Sequence, residues 1–373
     1  MNSLELFSGT GGLALGLHRA GLRHLALYEW DKDACENLRR NSQAVGLGWN
    51  VVQGDVREVD FTPYRGQVDI VAGGPPCQPF SLGGKGLAYD DQRNMFPEAV
   101  RAIREVRPKA FVFENVKGLL RKSLSNYFNY ILLQLSHPDV VKKEGQGWES
   151  HLGELERRHT STVIDGNGYN VVYRLVDVAD YGVPQNRYRV VIVGFRNDIR
   201  VGWQFPEATH SKDMLMYEKW ISGNYWEEHA VRKPAESPLN SLQKRHLAER
   251  CEVLLPFERW RTVRDVLSEM VYREQDIFRP AKAYPGHQGS RLDEPSKTIK
   301  AGVHGVPGGE NMLVLDDGTC RYYTVRESAR IQTFPDEFQF GSSWTESMRQ
   351  IGNAVPVRLG EIIGESLLKH LAV

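Results

Sequence analysis

Val68-Asp69-Ile70-Val71-Ala72-Gly73-Gly74-Pro75-Pro76-Cys77-Gln78-Pro79-Phe80-Ser81 is the stretch that decides how this chain is read. Its first five residues form a short apolar run of strand length. Two glycines and two prolines end that strand and turn the chain. Cys77 is thereby delivered at the carboxyl end of a buried strand, on stiffened backbone, where open α/β sheets gather their ligands. A small buried thiol is the commoner fate of a lone cysteine. The run alone leaves both packing and nucleophilic attack open.

The segments around it alternate between strand-like and helix-like patterns, as in a parallel α/β sheet. Strands are expected from Ser3 to Phe7, Leu25 to Glu29, Asn50 to Gln53, Val68 to Ala72 and Ala110 to Phe113. Helices are expected from Gly11 to Ala20, from a cap at Asp31 through Leu38, and from Asn94 to Val106, stopped before Pro108. A helical stretch from Tyr127 to Leu135 precedes a polar excursion, His137 to Gly168, whose charged helix reads as a solvated face. Strands from Val171 to Asp177 and from Tyr188 to Phe195 complete the sheet, the last as an antiparallel hairpin partner. From Asn197 the alternation stops, and a stretch rich in aromatics and charges (Trp203, Trp220, Tyr225, Trp226, Trp260) reads as a second domain. An amphipathic helix returns at Val357 to Leu371.

A length of 373 residues fits two domains, or one large domain with an insertion, and 41% hydrophobic with 25% charged residues is ordinary for a globular protein. Cys35, Cys77, Cys251 and Cys320 form no CxxC pair, so neither a zinc ribbon nor a disulfide scaffold is expected, and no metal. No apolar run approaches the ~20 residues needed to cross a bilayer, and the N-terminus lacks a signal layout. These features point to a reducing cytoplasm. The net charge of 0 gives no global pull toward a polyanion, although a local basic face can still supply one.

The first strand runs into Phe7-Ser8-Gly9-Thr10-Gly11-Gly12-Leu13. A Gly-rich strand-to-helix turn lets a ligand approach the backbone at a helix N-terminus. No Gly-Lys-Ser/Thr follows, so it is not a Walker loop, and the third glycine of GxGxxG is absent. Glu29, ending the second strand, can accept from two ribose hydroxyls. Trp30 offers a flat face to a purine, and Asp55, followed by Val56, can accept from an adenine amino group. Helix capping or loop charge is the bland alternative for both acids. An adenosine without a triphosphate, such as S-adenosylmethionine, suits these positions together.

In order along the chain, Phe7 to Gly12, Pro76-Cys77-Gln78, Glu114-Asn115-Val116, Gln185-Asn186-Arg187-Tyr188-Arg189, Arg326 to Arg330 with Phe334-Pro335, and Gln350-Ile351-Gly352-Asn353-Ala354-Val355 resemble the motifs of the cytosine-C5 DNA methyltransferases. The resemblance implies a Rossmann-like S-adenosylmethionine-dependent methyltransferase sheet with a second, smaller target-recognition domain. It implies a catalytic and cofactor-binding domain over residues 1–196, target recognition over 197–345, and a segment 346–373 returning to the catalytic domain. Catalytic roles fall to Cys77, Glu114, Arg189 and Arg187. Cofactor contacts fall to Phe7 through Leu13, Glu29, Trp30, Asp55, Val56, Pro76, Asn353, Ala354 and Val355. DNA contacts fall to Gln78, Ser81, Lys85, Arg93, Thr298 and Ile299. S-adenosyl-L-homocysteine would be the product, double-stranded DNA the partner, and a restriction endonuclease the functional associate of a monomeric bacterial or archaeal enzyme.

The chemistry stands beside the resemblance. Carbon 5 of cytosine is a poor nucleophile until a thiolate adds at carbon 6, a task for Cys77. Charge then accumulates at ring nitrogen 3 and needs an acid or hydrogen-bond partner, a task for Glu114 at the neighbouring strand end. Arg187 and Arg189 alternate on one expected strand and would project to the same face, Arg189 toward the active site. The target atom is unreachable in a duplex, so the base must flip. Gly83 to Gly86 could hinge a lid, with Lys85 and Arg93 gripping phosphates. Arg245, Arg250, Arg261, Arg264, Arg273, Arg279 and Arg291 are candidate DNA contacts in the second domain. A related enzyme acting on RNA shares the chemistry. A nucleotide-dependent oxidoreductase with a reactive cysteine would need the missing third glycine, and a DNA-binding module without catalysis has no use for both Cys77 and Glu114.

Overall fold

A computed structural model describes residues 1–76, 94–161, 168–199, 201–253, 257–267, 288–302, 309–341 and 343–372. The chain divides into two compact units, the first made of residues 1–176, 188–205 and 360–373, the second of 177–187 and 206–359.

The first unit is built on seven strands: β1 (Asn2–Leu6), β2 (Arg23–Glu29), β3 (Val51–Gln53), β4 (Ile70–Gly73), β5 (Ala110–Val116), β6 (Tyr169–Asp177) and β7 (Tyr188–Arg196). They lie in the order β3-β2-β1-β4-β5-β7-β6. The strands from β3 to β5 run parallel, as the alternating pattern requires, and β7 runs antiparallel to β5. The short connection before β7 does reverse the chain. The strand lies beside β6 as expected and on its other side pairs with β5, from Ala110↔Phe195 to Val116↔Arg189. From β3 at the edge the chain crosses back to β4 beside β1, so the ends of β1 and β4 flank a topological switch point, where such sheets bind ligands.

Helices α1 (Gly12–Arg19), α2 (Lys32–Ala44), α3 (Phe96–Val106), α4 (Ser125–Ser136) and α5 (Trp148–Thr160) follow strands or connect them. Asp31 caps α2, its carboxylate accepting from the Ala34 amide. One core face joins Leu4 and Leu6 of β1 to Phe96, Ile103, Phe111, Phe113, Tyr130 and Ile131. The charged α5 is not wholly solvated: His151 and Leu155 are buried. The His151 ring meets the Tyr130 hydroxyl at 2.8 Å and the Val140 carbonyl at 3.0 Å, which ties the excursion to α4. Gly73 ends β4 where a Cβ would lie 2.3 Å from the Leu6 carbonyl, so only glycine lets β4 finish this close to β1.

In the second unit the aromatics noted in the sequence are core. Trp220, Tyr225 and Trp226 pack with Leu215, and a neighbouring cluster joins Met214, Leu247 and Cys251. Trp203 belongs instead to the first unit, where its indole N–H donates to Ser366. Short strands Ser290–Arg291, Met312–Val314 and Cys320–Tyr322 form a three-stranded sheet, and helices Val325–Ile331 and Trp344–Asn353 follow. Among the described residues no helix is long and apolar enough to cross a membrane.

Candidate active site

The turn after β1 is a backbone cradle with one carboxylate at its centre. Phe7, Gly9 and Gly11 all take positive φ (57°, 53° and 88°), a conformation that strains Phe7 and suits the glycines. A Cβ built on Gly9 would meet nothing within 4 Å, so the turn leaves open space at its crest. The Glu29 carboxylate accepts from the Gly9 amide at 2.7 Å and the Asp31 amide at 2.8 Å. Burial pushes the Glu29 carboxyl above the ordinary range, and these amide donors pull it back. Thr10 is anchored by the Asn37 side chain at 2.6 Å, an α2 residue that carried no sequence signal. Ser8 donates its amide to the Tyr28 carbonyl, and Gly12 and Leu13 are buried in the first turn of α1. Trp30 is 67% exposed, with its ring uncovered. This cradle, carboxylate and free aromatic face fit an adenosine-bearing cofactor.

Asp55 is differently occupied. It caps the short 3₁₀ turn Val56–Glu58, and Arg57 grips both carboxylate oxygens. An adenine amino group would have to share it. Val56 is buried, its carbonyl accepting from Arg101 at 2.6 Å.

The second half of the site lies at the ends of β4 and β5. The strand β5 runs through Val116, longer than its apolar run suggests, so Glu114 and Asn115 sit within the sheet. Glu114 forms an ion pair with Arg189 of β7, and both side chains are largely buried. Burial works against the Arg189 charge and the Glu114 carboxylate opposes that effect. A Cβ on Gly74 would stand 3.5 Å from Glu114 Oε2, so the strand leading to Cys77 passes directly beside this carboxylate. Asn115 is buried and donates from its amide to the Pro75 carbonyl at 3.0 Å. Its place in the motif was legible, but not this tether. Pro76 is exposed, and its carbonyl accepts from the Met95 amide. Cys77, Gln78, Ser81, Lys85 and Arg93 lie outside the described residues, as do Arg273 and Arg279.

Arg187 does not share a face with Arg189. The strand begins at Tyr188, and Arg187 is fully buried in the second unit. Its guanidinium donates to the Ile299 carbonyl at 2.8 Å, to Gly352 at 2.6 Å and to Ala354 at 3.1 Å. Alternation along a strand predicts a common face only inside the strand. Its guanidinium is thus taken up by backbone carbonyls. Thr298 is tied to the Asn186 carbonyl at 2.7 Å, Ile299 is buried, Asn353 is exposed, and Ala354 and Val355 are buried.

Among the candidate arginines, Arg264 is buried and clamps Asp293 and Asp316, which makes it a structural residue. Arg250 pairs with Asp213. Arg245, Arg261 and Arg291 are exposed. Glu228, His229 and Asp265 come within metal-ligating distance of one another, but Arg259 already bridges Glu228 and Asp265. A guanidinium between the carboxylates supplies the positive charge a cation would bring.

The model of the C-5 cytosine-specific DNA methylase family matches residues 1–139 and 153–369. The chain is similar to Type II methyltransferase M.Eco47II of Escherichia coli, 35% identical across 99% of this chain and 78% of that one. It is also similar to Type II methyltransferase M.NgoMIV of Neisseria gonorrhoeae, 32% identical across 99% of this chain and 97% of that one. The fold is similar to that of the S. pombe Dnmt2 methyltransferase, with a TM-score of 0.61 at 17% identity, covering 100% of both chains.

Proposed function

This chain belongs to the C-5 cytosine-specific DNA methylase family, and from that premise we propose that it methylates a cytosine rotated out of a specific DNA duplex, through a covalent bond between Cys77 and ring carbon 6. It is a C-5 cytosine DNA methyltransferase of the Type II restriction–modification kind. The observation that carries the covalent reading is the buried Glu114–Arg189 pair beside Gly74, with Asn115 holding Pro75 two residues before Cys77.

Each group has a task there. The Cys77 thiolate adds to carbon 6, the electrons of the 5,6 double bond become available at carbon 5 to take the methyl group, and loss of the carbon-5 proton to solvent then expels the thiolate and restores the double bond. Glu114 accepts from the exocyclic amino group and holds a proton at nitrogen 3, where the ring would otherwise gather negative charge. Arg189 fixes the orientation of that carboxylate. S-adenosylmethionine supplies a methyl group on a sulfonium when bound. Glu29 would hold its ribose, the Phe7–Leu13 turn its backbone-facing side and Trp30 its purine, and the resemblance gives Asn353 to Val355 to the same cofactor. Residues 197–345 would read the target sequence, with Thr298, Ile299, Arg245, Arg261 and Arg291 among the DNA contacts. In the cell a monomer would protect host DNA in the cytoplasm from an endonuclease of the same specificity.

Incubation with methyl-labelled S-adenosylmethionine and either unmethylated duplex DNA or tRNA tests this. Label is expected in duplex DNA, at one cytosine of one sequence found by mapping the methylated positions. The Cys77→Ser protein should transfer none. Label in tRNA alone would make RNA the substrate, and turnover by folded Cys77→Ser would end the covalent mechanism.

A further inference from the structure

The Arg187 guanidinium is committed to backbone carbonyls, and through them it gathers two segments that the proposed function gives to different ligands. One is the strap Thr298 to Ala301, read as a DNA contact. The other is Gly352 to Val355, read as a cofactor contact. Both lie in the second unit with Arg187 itself. One Arg187 nitrogen donates to the Ile299 carbonyl, and the other to the Gly352 and Ala354 carbonyls. Those last two are carbonyls at the C-terminal end of helix Trp344–Asn353, which need partners and favour a cation.

Two further contacts bind the same segments independently. Gln185 accepts from the Ile299 amide at 2.9 Å and donates to Gln332 at 3.0 Å; Gln332 donates to the Ile351 carbonyl at 2.7 Å and the Ala354 carbonyl at 3.1 Å. Gly352 packs on the strap so closely that a Cβ would lie 2.4 Å from the Ala301 nitrogen. Neither segment can shift without pulling a buried guanidinium off a carbonyl or breaking an amide chain, and unpaired buried polar groups are strongly disfavoured.

We infer that Arg187 is a positioning residue that couples the two ligands, so that DNA seated against Thr298 and Ile299 tightens cofactor binding at Asn353 to Val355, and the reverse. The inference rests on the assignment of those two segments under the proposed function. Coupling of this kind is reciprocal, and its usual size is about 5- to 150-fold in affinity.

The test uses S-adenosyl-L-homocysteine, which binds without turnover, and the duplex carrying the mapped methylation site. Calorimetry should give at least roughly tenfold tighter S-adenosyl-L-homocysteine binding on DNA for the unaltered protein. Arg187→Lys keeps a charge and loses the fork. If it melts normally, its affinity ratio should fall toward one while each ligand still binds alone. A folded Arg187→Lys protein with the original ratio overturns the inference, as does a ratio of one in the unaltered protein. Should Arg187→Lys not fold, hydrogen exchange on the unaltered protein decides: S-adenosyl-L-homocysteine alone should slow exchange of the Ile299 and Lys300 amides, and no change refutes coupling. Asn353→Ala separates the two levels. Unchanged S-adenosyl-L-homocysteine affinity in that variant refutes the cofactor assignment of the segment, and the inference with it.

Discussion

The Asn115 side chain donates to the Pro75 carbonyl across 3.0 Å, joining β5 to the chain two residues before Cys77. The bond fixes Pro75 against β5 beside the Glu114 carboxylate, and under the proposed function the nucleophile Cys77 follows two residues on. Replacing Asn115 by Ala should therefore act on rate more than on binding. A displacement of the thiolate by about 1 Å can cost on the order of 100-fold in turnover. Steady-state kinetics should show kcat reduced by that order with KM for DNA little changed; an equal loss confined to KM would contradict the tether.

Removing Arg189 leaves Glu114 buried without its cation. Arg189→Ala should destabilise the protein by about 3–5 kcal/mol. Adding Glu114→Gln to Arg189→Ala should restore part of that stability, because a neutral amide tolerates the site better. Denaturant unfolding of the single and double variants measures this. Both proteins should lack transfer activity, so stability and catalysis separate cleanly.

Glu29 serves the loop and, under the proposed function, the ribose. Glu29→Gln should weaken S-adenosylmethionine binding by roughly 1–3 kcal/mol, the range for lost charge-assisted hydrogen bonds. Calorimetry without DNA is the measurement. Unchanged affinity would place the ribose elsewhere.

His24 predicts an acid limb in the stability curve. Its Nε2 donates to the Ala14 carbonyl and its Nδ1 accepts from Ser3, so the fold holds the neutral ring. Burial pushes the imidazole down to about 4 from 6.5, with the Ala14 carbonyl opposing. Between those values the unfolded chain takes up a proton that the folded chain refuses. This contribution is complete above pH 6.5 and is lost as pH falls toward 4, amounting to roughly 3 kcal/mol at about 1.4 kcal/mol per pH unit. His24→Gln should flatten that limb in unfolding measurements across the same window.

Exchange of the region from Asn197 to Pro295 for that of a relative should move methylation to the relative's sequence. Phosphate contacts hold register while base-edge contacts discriminate. Binding should also weaken as salt rises, despite the net charge of 0, because local Lys and Arg contacts release counterions. A folded, active graft that kept the original target would assign specificity to the α/β unit instead.

The parallel sheet was legible because its strands are short apolar runs ended by glycine, proline or acid, and each such signal is local. Glu29 and the Gly-rich turn were legible for the same reason. Arg187 was misread because it precedes the strand that begins at Tyr188, and its side chain is placed by carbonyls far along the chain, those of Ile299, Gly352 and Ala354. The roles of Asn115 and Asn37 were hidden likewise: each is defined by a partner distant in sequence, Pro75 and Thr10. Arg264 looked like a nucleic-acid contact because Asp293 and Asp316, which hold it, are also far along the chain.

The antiparallel seam between β5 and β7 brings Glu114 and Arg189 together from opposite ends of a long excursion through α4, α5 and β6. Residues 140–152 of that excursion fall outside the match to the family. Closing a longer loop costs little, about 0.6 kcal/mol for each doubling of its length, whereas a one-residue slip in strand register would turn Arg189 to the other face. The chain is thus permissive in length and strict in register over the same span. Evolution, or an engineer seeking a place to graft a reporter, can lengthen the exposed stretch between Val140 and Trp148, ahead of the buried His151, while leaving the ion pair in register.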